Sequence, residues 1–222
     1  MPASTPPAST VLDADLDRTG DVVVAMRAES GVDVHFLRSG ATQRLATPML
    51  RPAVRWINPA RALLYDEWGA ESERNALIVD ENGITDSPFA IGGAVADVVS
   101  VGKYVAATYT DEGALGDDER SQAGIALFDR RGECLWMWNS SAARDLAPVF
   151  DCYAVGQGSD TTLGFLFYTL HDAGSYAFGL LDMETRGVTL FETPEVLHRT
   201  RAVGARRNSI AELLIEFAPR AC

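Results

Sequence analysis

One turn recurs along this chain and constrains its fold more than any other feature. It reads HFLRSG at His35–Gly40, LIVDENG at Leu77–Gly83, ALFDRRG at Ala126–Gly132 and GLLDMETRG at Gly179–Gly187. In each copy an apolar strand runs into polar residues, usually opened by Asp, and closes on Gly. Asp bonds its own turn backbone and Gly takes positive φ without steric cost, so the pattern specifies a hairpin. The closing glycines at 40, 83, 132 and 187 lie 43, 49 and 55 residues apart, intervals that hold four short strands each.

Aligning on that turn predicts the remaining strands. Unit one takes 10–16, 21–28, 32–38 and 41–46; unit two takes 53–58, 61–67, 75–80 and 84–91. Unit three takes 95–101, 103–110, 123–129 and 133–139; unit four takes 149–155, 161–170, 175–182 and 188–192. A remainder, 197–217, supplies two more. Residues 1–9, rich in Pro, Ser and Thr, read as a flexible tail, and 10–222 as one all-β domain of about four and a half four-stranded units. Ser209 to Glu212 fits a helix capping box, with Ile210, Leu213, Leu214 and Phe217 on one helical face. The segment ELLIEFA nevertheless sits where earlier units carry ALLYDEW and AATYTDE, which favours a strand.

The strand-Asp-x-x-Gly turn resembles the repeat turn of WD-type and YVTN-type β-propellers. The WD dipeptide and the Gly-His pair of true WD repeats are absent. The resemblance implies an all-β, five-bladed or incomplete β-propeller with a truncated last blade. It implies no activity, since propellers serve as hydrolases, lectins, scaffolds and inhibitors.

A second repeat lies in the loops after the second strands. Unit two carries YDEWGAESER from Tyr65 to Arg74, and unit three carries YTDEGALGDDER from Tyr109 to Arg120. Unit four has the shorter YTLHDAGS, with His171 and Asp172. In a propeller such loops project from one face. The first two hold nine acids (Asp66, Glu67, Glu71, Glu73, Asp111, Glu112, Asp117, Asp118, Glu119) against two arginines. They supply seven of the chain's net −12 charges. That field is expected to attract a basic protein partner, with Trp68 as an interface anchor. Its alternative role is to keep a repeat protein soluble.

Other chemistry is thinly represented. Asp13, Asp15, Asp17 and Asp21 mimic positions 1, 3, 5 and 9 of a calcium loop like that of FG-GAP-type propellers. Arg18 replaces the turn glycine, however, and Val24 stands where an EF-hand has Glu, so solvated turn acids are the favoured reading and no metal or cofactor is expected. GxSxG, P-loop, HExxH and GxGxxG motifs are absent. His35 reads as a structural or surface residue in an alternating strand. His171, beside Asp172, is the histidine with catalytic surroundings. A paired-carboxylate glycosidase would use inner-strand acids, with Asp97 and Asp151 in place and Asp13 and Asp15 as further members. Trp136 and Trp138 alternate as strand residues and read as packing between blades rather than as a sugar platform. Asn139-Ser140-Ser141 matches a glycosylation acceptor.

Charge and cysteines narrow the partners. A pI near 4.6 argues against nucleic acid or anionic membrane. Cys134, Cys152 and Cys222 form no CxxC, so neither a disulfide framework nor a zinc framework is expected. The N-terminal MPASTPPAST has neither basic residues nor an apolar core, which makes a cytoplasmic protein the default expectation. Arg199, Arg201, Arg206 and Arg207 form a basic stretch that permits self-association; the oligomeric state is left open. The favoured reading is a non-enzymatic binding module whose acidic loop face holds a basic partner, with an immunity or inhibitor protein for a cationic toxin as the concrete job. The alternative is a carbohydrate-binding or glycan-cleaving propeller.

Overall fold

The computed structural model describes residues 11–69, 74–170, 175–192, 204–205 and 213–214. The chain divides into two compact units, 1–91 and 92–222. Among the described residues each unit holds two four-stranded antiparallel sheets, every one a simple meander in chain order. That is the topology of a propeller blade.

In the first unit, β1 (Val11–Leu16), β2 (Val22–Ala28), β3 (Gly31–Phe36) and β4 (Ala41–Leu45) form one sheet. The period of two is visible in its burial: Val23 and Ala25 on β2, and Val32, Val34 and Phe36 on β3, turn inward. A second sheet follows, β5 (Pro52–Asn58), β6 (Arg61–Asp66), β7 (Ala76–Asp80) and β8 (Gly83–Ile84). Val54, Trp56, Leu64, Leu77 and Val79 meet the inward face of the first sheet in one apolar core. On β6 both faces are covered, so Ala62 to Tyr65 is buried without alternation. The fourth strand of this sheet is shorter than the expected 84–91. It stops at Ile84 and returns only as a bridge between Ala76 and Phe89. Pro88, which has no N–H, precedes that bridge and suits an edge strand already broken off.

The acids at 13–21, read above as solvated turn acids, are not all turn acids. Asp13 and Asp15 lie within β1, not in a loop, and reach across to β5. The Asp13 carboxylate accepts from the Val54 N–H at 2.9 Å and pairs with Arg55; that of Asp15 accepts from the Trp56 N–H at 2.7 Å. They satisfy donors on the edge of β5 that faces away from β6. Asp17 instead closes the turn, accepting from the Thr19 and Asp21 amides at 2.8 Å each. Asp21 pairs with Arg38 at 3.3 Å. Four carboxylates with separate partners do not converge on one ion.

In the second unit, β9 (Val95–Val101), β10 (Tyr104–Tyr109), β11 (Ile125–Asp129) and β12 (Cys134–Met137) form the first sheet. Between β10 and β11 the chain makes two single-turn helices, α1 (Asp111–Ala114) and α2 (Glu119–Gln122). The second sheet is β13 (Asp151–Gln157), β14 (Thr162–Thr169), β15 (Ser175–Asp182) and β16 (Val188–Glu192). Their shared core is aromatic. Trp138 is fully buried, stands edge-on to Phe165 at 5.2 Å, and donates its indole N–H to the Ala147 carbonyl at 2.9 Å. Trp136 packs against the same core, so the pair serves packing as expected. A final pair, β17 (Gly204–Ala205) and β18 (Leu213–Leu214), follows as a two-stranded sheet. Leu213 and Leu214 are therefore strand; residues 209–212, 199, 201, 206, 207 and 222 lie outside the described residues.

The repeat turns behave as their chemistry requires. Gly40, Gly83 and Gly132 all have positive φ, at 74°, 131° and 88°. In the fourth turn Arg186 takes the left-handed conformation in place of Gly187. There Asp182 accepts from the Glu184 and Thr185 amides, and the Thr185 amide bond above all holds its carboxyl below the usual range. No helix among the described residues is long and apolar enough to cross a membrane.

Candidate functional site

The two loops that look alike in sequence are built differently. In the first unit, Asp66 is only 5% exposed. Its carboxylate accepts from the amides of Leu50 at 2.8 Å, Arg51 at 3.0 Å and Trp68 at 3.1 Å. Buried Asn75 completes the anchor, donating to the Asp66 carbonyl at 3.3 Å and accepting from the Ile91 amide at 2.9 Å. Asp66 therefore folds the loop and is not presented on a surface. Trp68 is 43% exposed, with the Arg51 guanidinium 4.9 Å above its ring. Glu67 lines a cavity of about 250 Å³ with Leu12, Asp13, Arg27, Leu50, Arg51 and Pro52. Glu71 and Glu73 lie outside the described residues.

In the second unit the loop between β10 and β11 is pinned from below. Asp118 caps α2, accepting from the amides of Arg120 at 2.9 Å and Ser121 at 3.1 Å. The buried Ser121 hydroxyl donates to the Gly93 carbonyl at 2.8 Å and accepts from the Gly93 amide at the same distance. Gly113 lies so close to the Gly93 carbonyl that a Cβ there would stand 3.0 Å from it. With its base fixed, the loop presents Asp111, Glu112, Asp117 and Glu119 to solvent. Its single arginine, Arg120, already pairs with Asp118 at 3.7 Å.

Three carboxylates of this unit feel one another. The hydrogen bond to Glu112, burial and the Glu112 charge raise the Asp111 carboxyl above its usual value, while the Thr110 hydroxyl, 2.6 Å away, lowers that of Glu112. Asp151, at the start of β13, is raised by burial and then by the charges of Asp111 and Glu112. Asp151 is thus drawn into the acidic loop, whereas Asp97 accepts from the neighbouring Val98 amide at 2.8 Å. His171 and Asp172 lie outside the described residues. His35 bonds the Thr42 hydroxyl at 2.8 Å across β3 and β4, which suits its structural reading. The Cys152 thiol is pushed up to about 12 by burial, which removes it as a nucleophile. No group of three His, Cys, Asp or Glu among the described residues is arranged to hold a metal ion.

Sequence reasoning overlooked an aromatic series beside Asp151. Phe150, Tyr168, Tyr176 and Tyr153 follow one another at ring separations of 6.4, 5.3 and 5.4 Å. Tyr153 hydrogen-bonds both Asp151 and Tyr176, and burial together with those bonds raises its phenol. The available signal was cross-strand register, because Tyr168 pairs with both Asp151 and Tyr176. The glycosylation match is also resolved. The Asn139 amide nitrogen donates to the carbonyls of Gln122 at 2.9 Å and Val149 at 2.8 Å, so it serves as a clamp rather than a free acceptor.

Chain topology sorts charge within this unit. The 110–122 loop, the 138–150 connection and the β14–β15 connection leave at one end of the meanders, and the hairpin turns lie at the other. The described part of the loop end carries Asp111, Glu112, Asp117, Asp118, Glu119, Asp145 and Asp151 against Arg120 and Arg144. The hairpin end is nearly balanced, with Lys103, Arg130, Arg131 and Arg186 against Asp129, Glu133, Asp160, Asp182 and Glu184. Lys103 and Glu184 meet there at 3.1 Å, joining turns of the two sheets.

No protein-family model and no curated protein matches the chain. Solved structures do. Kuenenia stuttgartiensis hydrazine synthase is similar over 83% of this chain, with a TM-score of 0.53 and 11% identity. The tricorn protease is similar over 84% (TM-score 0.51, 16% identity), and a prolyl endopeptidase over 80% (TM-score 0.50, 15% identity). This chain spans 54%, 17% and 25% of those chains, respectively. At such identities the likeness is one of fold: an all-β architecture of four-stranded antiparallel blades, of the β-propeller type.

Proposed function

We propose that this protein is a non-enzymatic binding module that holds a basic protein partner on the acidic loop end of its second unit. The observation that carries this reading is the separation of charge among the described residues, seven acids against two arginines at one end and near balance at the other. Exposed carboxylates on a pre-ordered loop raise a negative potential without the entropy cost of ordering the loop on binding. Like charge adds to the rise of Asp111, behind its Glu112 hydrogen bond and burial, and to that of Asp151, behind burial; a cation offsets that like-charge part. The resemblance of the strand-Asp-x-x-Gly turns to those of WD- and YVTN-type propellers supports a repeat scaffold for binding, and neutralising a cationic toxin such as a nuclease is the job we assign, in the cytoplasm.

Affinity capture with the wild type and with Asp111→Lys/Glu112→Lys, at low and moderate salt, tests the reading. It expects a cationic protein retained by the wild type alone. Equal retention by the variant removes it.

One observation favours a second reading, that of a glycan-binding propeller. Tyr153, 40% exposed and bonded to Asp151, joins an aromatic series to a carboxylate, a combination suited to stacking and hydrogen bonding a sugar. Glycan-array signal lost on Tyr153→Ala supports it; a blank array excludes it.

A further inference from the structure

Beside the acidic loop lies a groove of about 330 Å³ that the charge argument does not use. Its apolar lining is Ala114 from α1 with Pro148, Val149, Phe150 and Leu170, and its polar lining is Gln122 from α2, Asn139, Ser140 and one cation, Arg144. Its walls are fixed. Asn139 donates to the carbonyls of Gln122 and Val149 and accepts from the Val149 amide at 3.0 Å, tying the loop and the 139–150 segment into one floor. Gln122 donates to the Gly116 carbonyl at 2.6 Å, closing the loop above it. Around this floor three leucines stand exposed beside polar lining groups. Leu170 is 58% exposed, Leu146 53% and Leu115 70%, the last two adjacent in the chain to lining residues or one step from them. The same stretch of surface carries Asp111, Glu112, Asp117, Glu119 and Asp145.

Apolar side chains on a solvent-exposed rim next to concentrated negative charge describe a two-part recognition surface. Charge speeds encounter and sets the sign of the partner; a desolvated pocket supplies the anchor that slows release. We infer that the groove receives a single apolar side chain, leucine- or phenylalanine-sized, from a basic protein segment whose flanking Lys and Arg pair with Asp111, Glu112 and Glu119. This inference rests on the proposed function and adds the anchor to it. Charge complementarity selects the occupant. A second copy of this acidic chain would bring like charge to a like-charged rim, and an acidic segment would be repelled.

The test uses the full chain and two short synthetic peptides, each with Lys and Arg on both sides of a central residue that is leucine in one and serine in the other. Titration at moderate salt is expected to give about tenfold tighter binding for the leucine peptide, as burial of one aliphatic side chain predicts. Ser140→Trp, at an exposed lining residue, fills the groove and is expected to remove that difference while both peptides keep their salt-dependent binding. Equal affinity of the two peptides for the wild type overturns the anchor and leaves the charge reading standing. A leucine preference that survives Ser140→Trp places the anchor elsewhere and also overturns it. Failure of both peptides to bind the wild type at low salt overturns the charge reading together with the anchor.

Discussion

Two loops of this chain carry nearly the same residues and use them in opposite ways. Tyr65-Asp66-Glu67-Trp68 and Tyr109-Thr110-Asp111-Glu112 both leave a second strand, both with a buried tyrosine. In the first, the Asp follows the tyrosine directly, turns inward and gathers three amides. In the second, Thr110 intervenes and displaces the Asp-Glu pair by one residue, into the exposed first turn of α1. The inward capping task passes to Asp118, seven residues later. A one-residue offset at a strand exit decides whether a carboxylate organises the loop or faces solvent, because successive residues there point to opposite sides.

That comparison breaks most sharply at Asp66. Asp66→Ala strands three amides near a buried site and is expected to cost about 2–4 kcal/mol in urea unfolding, whereas Asp111→Ala costs under about 0.5 kcal/mol. Similar losses at the two positions contradict the contrast. Asp118→Ala is expected to cost about 1 kcal/mol, with Asp118→Ser restoring most of it as an N-cap does. A flat response there means that α2 is held by the Ser121–Gly93 bonds alone.

Asp151 sharpens the comparison through pH. Its native carboxyl is raised, first by burial, so its protonated form is favoured in the folded state. Its contribution to stability is present below the ordinary carboxylate value and lost as pH rises through its raised native value. Asp151→Asn keeps an acceptor and discards the charge. Because the site is only half-buried, the gain at pH 7 is small, about 1–2 °C in melting temperature, and it vanishes near about pH 3. A variant that melts lower than the wild type at pH 7 contradicts the raised carboxyl. The smallest expected stability effect belongs to Asp111→Lys/Glu112→Lys, whose exposed side chains leave the fold within about 0.5 kcal/mol of the wild type.

Much of the fold was legible because hairpin turns are local chemistry. Asp129 and Asp182 accept from amides two residues on, and the strands between the turns fall close to their expected bounds. The exceptions have non-local causes. β8 stops after two residues where the chain approaches Pro88, and the acids read as solvated turn groups at 13 and 15 reach a strand more than forty residues away. Loop acidity was equally legible, but not which acids are exposed: Asp66 and Asp118 look like Asp111 and Asp117 until their amide partners are known. The tyrosine series escaped notice because Tyr153, Tyr168 and Tyr176 come from three strands and meet only through register.

The central claim, that the exposed loop acids of the second unit hold a basic partner, is tested most directly by paired capture at two salt concentrations. The wild type, Asp111→Lys/Glu112→Lys/Glu119→Lys and Glu67→Lys are each immobilised and compared for retained cationic protein. The account predicts that the triple variant loses the retained protein at moderate salt and that Glu67→Lys, a charge reversal in the other unit, keeps it. Full retention by the triple variant contradicts it.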